Sequence, residues 1–227
     1  MPQPHVSVFK YPLGFIRVVE FLFIVIAIAA VNSWSFSATF NCPPIANKTN
    51  QISIHASTFT LSNVRVAKTC TDAINVPFWK SDNDAGGSSG FFYFVNVTAL
   101  VLVLATTFFY VIFWDLYQEN KKFALADLAA TVLFFILFFF CSSIWWAGSN
   151  TIGSSTGEEM ITKLIKENKD FGNTTGPNLD LARDTNNGKL AISVLCDWVC
   201  VLSFAFNCWY IWKEIAPRNQ ENPGVIG

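Results

Sequence analysis

Charge is scarce in this chain. Only 14% of its 227 residues are Asp, Glu, Lys or Arg, and the formal net charge is -1. That balance offers no basic field to hold phosphates, so nucleic acid is excluded as a partner. Histidine is nearly missing, with His5 and His55 isolated from each other and from other ligand types. No phosphate-cradling glycine loop, nucleophile elbow or zinc-ligand spacing occurs. Cysteine is absent from residues 149–189. These absences predict a protein that is not an enzyme and carries no cofactor.

What the chain has in abundance is apolar side chains, 52% of the total, with a mean hydropathy of +0.38. A bilayer core of roughly 30 Å needs about 20 apolar residues in a helix. Four windows meet that length: 15–36, 91–114, 128–147 and 190–212. Lipid offers the backbone no hydrogen bonds, so each window is expected to be helical despite its many Phe and Val residues. The predicted fold class is an all-α integral membrane protein, a four-transmembrane-helix bundle with two lumenal loops and cytosolic termini. Its parts are a leader (1–14), a first loop (37–90), a connector (115–127), a second loop (148–189) and a tail (213–227). A cleaved signal peptide is the rival reading of the first window, where small residues Ala27, Ala29 and Ala30 follow an apolar run. Glu20 and the continuation through Trp34 and Phe36 argue against it.

Four spans put both termini on one side and both long loops on the other. Counting cations does not say which: six of the fifteen Lys and Arg flank the terminal side, and nine lie in the long loops. Glycosylation sequons decide it, because Asn47-Lys48-Thr49 and Asn173-Thr174-Thr175 fall one in each long loop and work only in the lumen. A third match, Asn96-Val97-Thr98, lies inside the second window, where the sequon is a chance occurrence. Cys42 and Cys70, the two cysteines outside the windows, share the first long loop and are expected to form a disulfide in an oxidising lumen. Such a bond constrains the unfolded chain by about 3 to 4 kcal/mol. Cys196 and Cys200 share a helix face at i, i+4, but no third metal ligand accompanies them; Cys208 suggests a palmitoylation site.

In the first loop, "SDNDAGGSSG" reads as a flexible linker, since Tyr93 stands where a calcium loop needs its bidentate Glu. In the second, Ser155 and Thr156 precede Glu158 and Glu159 at capping-box spacing. Met160, Ile161, Leu164 and Ile165 then form the stripe of a short amphipathic helix, for packing on the bundle or meeting a partner.

Polar residues inside the windows are costly, about 2.5 to 3.5 kcal/mol for a carboxylate at the bilayer centre. Arg17 and Glu20, three apart, are expected to pair near the cytosolic face, with Asp127 at the same depth. Asp197 lies two turns inside the fourth window and is expected to be protonated or hydrogen-bonded to neighbours such as Ser142 and Ser143; Asn207 lies toward the far side. Trp145 and Trp146 at one end, and Trp209 and Trp212 at the other, are expected interfacial anchors.

Four groups of residues then resemble a known family. "PLGF" at 12–15 opens the first span, followed by Arg17 and Val18. Tyr117, Glu119, Asn120 and Lys122 spell Tyr-x-Glu-Asn-x-Lys in the connector. Asp127, Ala130, Thr131, Phe134, Ser142, Ser143, Trp145 and Gly148 fall ungapped along the third span, and Asn207, Trp209, Lys213 and Glu214 close the fourth. In this order, on this topology, the chain resembles the synaptophysin family of four-helix MARVEL-domain vesicle proteins. It departs from that family in lacking a second-loop disulfide and a long Tyr-, Gly- and Pro-rich tail, so it is identified as a short-tailed or divergent member. Tetraspanins and claudins fit less well, since their Cys-Cys-Gly and Trp-led cysteine patterns are missing.

The resemblance implies a non-enzymatic organiser of secretory or synaptic vesicle membrane, acting in trafficking or exocytosis. Its implied partners are membrane lipid including cholesterol, the vesicle SNARE synaptobrevin and further copies of itself. Ala126, Ala130, Ser142 and Ser143 are the expected helix-packing positions. The alternative is a channel or transporter using Asp197 and Asn207; a junctional or curvature-shaping tetraspan differs mainly in location.

Overall fold

Each apolar window becomes a helix, because in lipid only a helix satisfies every backbone group within its own segment. The computed structural model describes residues 5–42, 51–171 and 181–220. Its helices are α1 (Pro12–Asn32), α2 (Gly86–Glu119), α3 (Lys121–Ser155), α4 (Glu158–Glu167) and α5 (Asn187–Gln220). All but α4 contain a stretch long and apolar enough to cross a membrane. The protein is thus a multi-pass membrane protein built on a four-helix bundle.

The chain forms two compact units. One is drawn from residues 5–29, 92–143 and 193–220, the other from the described residues of 30–91 and 144–192.

In the first unit, α2 and α3 are separated by Asn120 alone. Its amide hydrogen still bonds the carbonyl of Leu116 at 3.1 Å, while its side-chain Oδ1 accepts the amide hydrogen of Lys122 at 3.0 Å, capping the next helix. The connector, 115–127, is therefore helical except at this residue. A short 3-10 turn, Val6–Lys10, precedes α1. The amide of His5 bonds the carbonyl of Val111 at 2.8 Å, near the non-helical Phe113 that kinks α2. Val8, Leu13, Tyr110, Trp114, Tyr117, Ala124 and Ile211 form a buried cluster there. Gly14 is required at this packing point: a Cβ would lie 2.4 Å from the carbonyl oxygen of Val8.

The second unit adds strands to the all-α bundle, which the sequence reading did not foresee. They are β1 (Phe36–Asn41), β2 (Gln51–Ala56), β3 (Arg65–Lys68), β4 (Ile74–Pro77) and β5 (Leu181–Thr185). β1 is the centre of an antiparallel sheet in the order β2-β1-β5, and β3 pairs with β4. Phe36, Ala38 and Phe40 on β1, and Ile52, Ile54 and Ala56 on β2, alternate inward. Phe36, assigned by sequence to the end of the first span, is thus in the sheet, because α1 ends at Asn32.

Aromatic rings fill this second core. Trp34 packs on Phe59, Phe59 edge-on to Trp145, and Phe78 against both Trp79 and Phe171, at centroid separations of 4.8 to 5.3 Å. The buried indoles keep partners: Trp34 Nε1 donates to Asn187 Oδ1 and Trp79 Nε1 to the carbonyl of Ser155, each at 3.0 Å. Trp145 is therefore a core residue and not the interfacial anchor expected, whereas Trp146 is exposed. Cys42 and Cys70 are disulfide-bonded. The stretch read as a flexible linker is ordered: Asp84 accepts from the backbone and hydroxyl of Ser62, and Gly86 opens α2. The capping box also fails, because Ser155 still belongs to α3 and the Thr156 hydroxyl donates back to the carbonyl of Ile152. α4 starts without a side-chain cap but buries Ile161 and Ile165 as its stripe requires. Asn47 and Asn173 lie outside the described residues.

Candidate functional site

The first unit holds a buried polar network to which every spanning helix contributes. Arg17 is its centre. From α1, its Nη1 donates to Glu20 Oε2 at 2.8 Å, an i, i+3 pair along one helix face. Its Nη2 donates to Asp127 Oδ1 at 2.8 Å and to Thr131 Oγ1 at 2.9 Å, both on α3. Asn207 on α5 donates from Nδ2 to Glu20 Oε1 at 3.2 Å. From α2, the hydroxyls of Tyr110 and Tyr117 both donate to Asp127 Oδ2, the latter at 3.2 Å. The guanidinium lies 5.9 Å from the ring centroid of Phe204.

Arg17, Glu20, Thr131 and Asn207 are fully buried, and Asp127 is 8% exposed. One guanidinium thus faces two carboxylates, and the surplus acceptor capacity is taken up by the tyrosines, Thr131 and Asn207. Charges removed from water are tolerable only when paired and hydrogen-bonded in this way. The two atoms left over are Arg17 Nε and Asn207 Oδ1. The pairing of Arg17 with Glu20 was legible from spacing, and the level of Asp127 from its place in the third window. The two tyrosines were missed, although Tyr117 opens the connector motif.

A second, smaller group surrounds Asp197. Its Oδ1 accepts from Asn96 Nδ2 at 3.2 Å and its Oδ2 faces the Cys141 thiol at 3.7 Å. Ser142 and Ser143, the expected partners, instead donate to the carbonyls of Phe138 and Phe139 four residues back. A serine hydroxyl on a helix has that local acceptor within reach, and it prevails here. Asn96 was passed over as a chance sequon; it is fully buried, bonds both Asp197 and the Phe92 carbonyl, and keeps Oδ1 without a partner. Cys196 and Cys200 are buried nearby in sequence, and no group of three or more His, Cys, Asp or Glu among the described residues is placed to hold a metal.

The small residues divide by face. Ser142 is buried, Ala130 is half-buried, and Ala126 and Ser143 are exposed. Ala124, not among the expected positions, is also fully buried, in the cluster with Leu13, Tyr110, Tyr117 and Ile211. Ala126 and Ala130 line a largely apolar cavity of about 260 Å³ with Leu102, Ala105 and Phe109, and Tyr117 and Asp127 also border it.

The arrangement is built to fix four helices in register inside an apolar solvent. Residues 9–210 match the family model MARVEL, described as a membrane-associating domain. The match takes in every spanning helix's contribution to the network, from Arg17 to Asn207, and the chain belongs to the MARVEL family.

Proposed function

We propose that the protein is a non-enzymatic organiser of secretory or synaptic vesicle membrane, with cytosolic termini and lumenal loops. It associates laterally with itself, with cholesterol and with the vesicle SNARE synaptobrevin, and so serves trafficking or exocytosis. One observation carries the reading. Arg17, Tyr117, Asp127, Thr131 and Asn207, scattered through the motifs that resemble the synaptophysin family, are joined in one hydrogen-bonded network. Family membership supports a membrane-associating role, and the alanine-lined cavity between α2 and α3 supplies a surface a partner helix can approach closely.

A photo-crosslinker at Leu133, 55% exposed and one turn beyond Ala130, tests this in native vesicle membrane. Capture of synaptobrevin or of a second copy is expected, with a several-fold loss on Ala130→Leu, which fills the cavity. Capture of lipid alone, in correctly located protein, replaces the organiser with a membrane-shaping scaffold. A channel or transporter is the second reading, favoured by the burial of Asp197 beside Asn96 with no basic partner among the described residues. On that reading Asp197→Asn abolishes ion flux in reconstituted vesicles; a wild-type protein that passes no ion removes it.

A further inference from the structure

Arg17 uses its donors unevenly. Nη1 and Nη2 serve Glu20, Asp127 and Thr131, while Nε, although buried, has no acceptor. A buried N–H left in this state is costly, and more so in an apolar layer. Arg17 also borders a cavity of about 180 Å³ in the first unit. Val18 and Phe21 of α1 and Val103 and Leu104 of α2 form its apolar walls, and Thr107 supplies their one hydroxyl. Val18, Phe21 and Thr107 are half-exposed and Leu104 is 51% exposed, so in a bilayer these walls meet lipid.

We propose that this cavity seats the carbonyl-proximal methylenes of one acyl chain of a glycerophospholipid, whose ester carbonyl accepts the Arg17 Nε–H. Donor and acceptor match in kind: a guanidinium only donates, and an ester carbonyl only accepts. A sterol hydroxyl accepts too but brings a further proton to be placed, whereas an ester carbonyl supplies only the acceptor that Arg17 Nε lacks. Depth agrees. Arg17 stands five residues beyond Pro12, about 7 to 8 Å along the helix, and exposed Lys10 marks the polar side. That distance is comparable to the interfacial layer, about 5 to 8 Å on each side, below which the ester groups give way to chains. The volume, about six water molecules at 30 Å³ each, suits a run of methylenes rather than fused rings.

The test uses the full-length protein in bilayer nanodiscs containing phosphatidylcholine with a photoactivatable group on one acyl chain. Label is expected to concentrate on peptides carrying Val18 to Phe21 and Val103 to Thr107. Unlabelled diester phosphatidylcholine is expected to displace it at least fivefold better than the diether analogue, which has the chains but no carbonyl. Val18→Trp, which fills the cavity, is expected to abolish the label at these peptides, and Val103→Leu, a milder filling, to reduce it with the fold intact. Equal competition by the diether lipid, displacement by cholesterol, or label spread evenly around the bundle each overturns the proposal.

Discussion

A single side chain decides how the buried network behaves when cut. Arg17 is the one cation paired with two carboxylates, so Arg17→Met leaves both Glu20 and Asp127 buried without their ion-pair partner. Breaking a buried pair from one side costs about 3 to 5 kcal/mol, whereas replacing all charged members together is far milder. Unfolding in detergent micelles is expected to show a loss of that size for Arg17→Met and recovery of most of it in the triple variant with Glu20→Leu and Asp127→Leu. At this scale the sequence was informative where a rule of spacing applied, as for Arg17 and Glu20. It was silent where partners lie far apart, because Asn207 is 187 residues from Glu20 and nothing local to either announces the other. Asn96 was hidden for another reason: a surface-modification pattern overlaid a residue whose neighbours Phe92 and Asp197 give it a buried role.

Among the elements, the N-terminal 3-10 turn depends on one missing Cβ. In Gly14→Ala the new methyl meets the carbonyl oxygen of Val8 at 2.4 Å, and backbone cannot rotate away as a side chain does. The turn must lift, releasing the His5 bond to Val111 and the stacking of Tyr11 on Trp114 at 5.8 Å. Hydrogen exchange of the peptide spanning His5 to Tyr11 is expected to accelerate at least tenfold, with the amides around Asp127 unchanged. The long helices were readable because apolar length leaves a membrane segment no other option. The strands were not, even though "FSATFN" and "QISIHA" alternate apolar and polar as a half-buried sheet does. Six-residue runs carry a weak signal beside twenty-residue ones, and the third strand of the sheet, β5, lies far along the chain from β1 and β2.

For the whole molecule, the division into two units has its own test. The Cys42–Cys70 bond lies within the second unit, spanning 28 residues of sequence. Cys42→Ser is expected to weaken that unit by about 2 to 5 kcal/mol, seen as faster limited proteolysis within residues 51–91. Exchange around Arg17 and Asp127 is expected to stay at the wild-type rate; a matching acceleration there would show that the units unfold together. The number of spans was legible from hydropathy, but the partition was not, since each unit draws on separated pieces of chain. That interleaving also sets a schedule for biosynthesis. Arg17 enters the membrane 110 residues ahead of Asp127, which at ribosomal speeds of about 5 to 20 residues per second is roughly 6 to 22 s of waiting. Glu20 waits longer still for Asn207. Through that interval the first helix resides in lipid, or in the insertion machinery, with only its own i, i+3 pair to offset two charges, so the nascent chain is most exposed to quality control before its third helix is made.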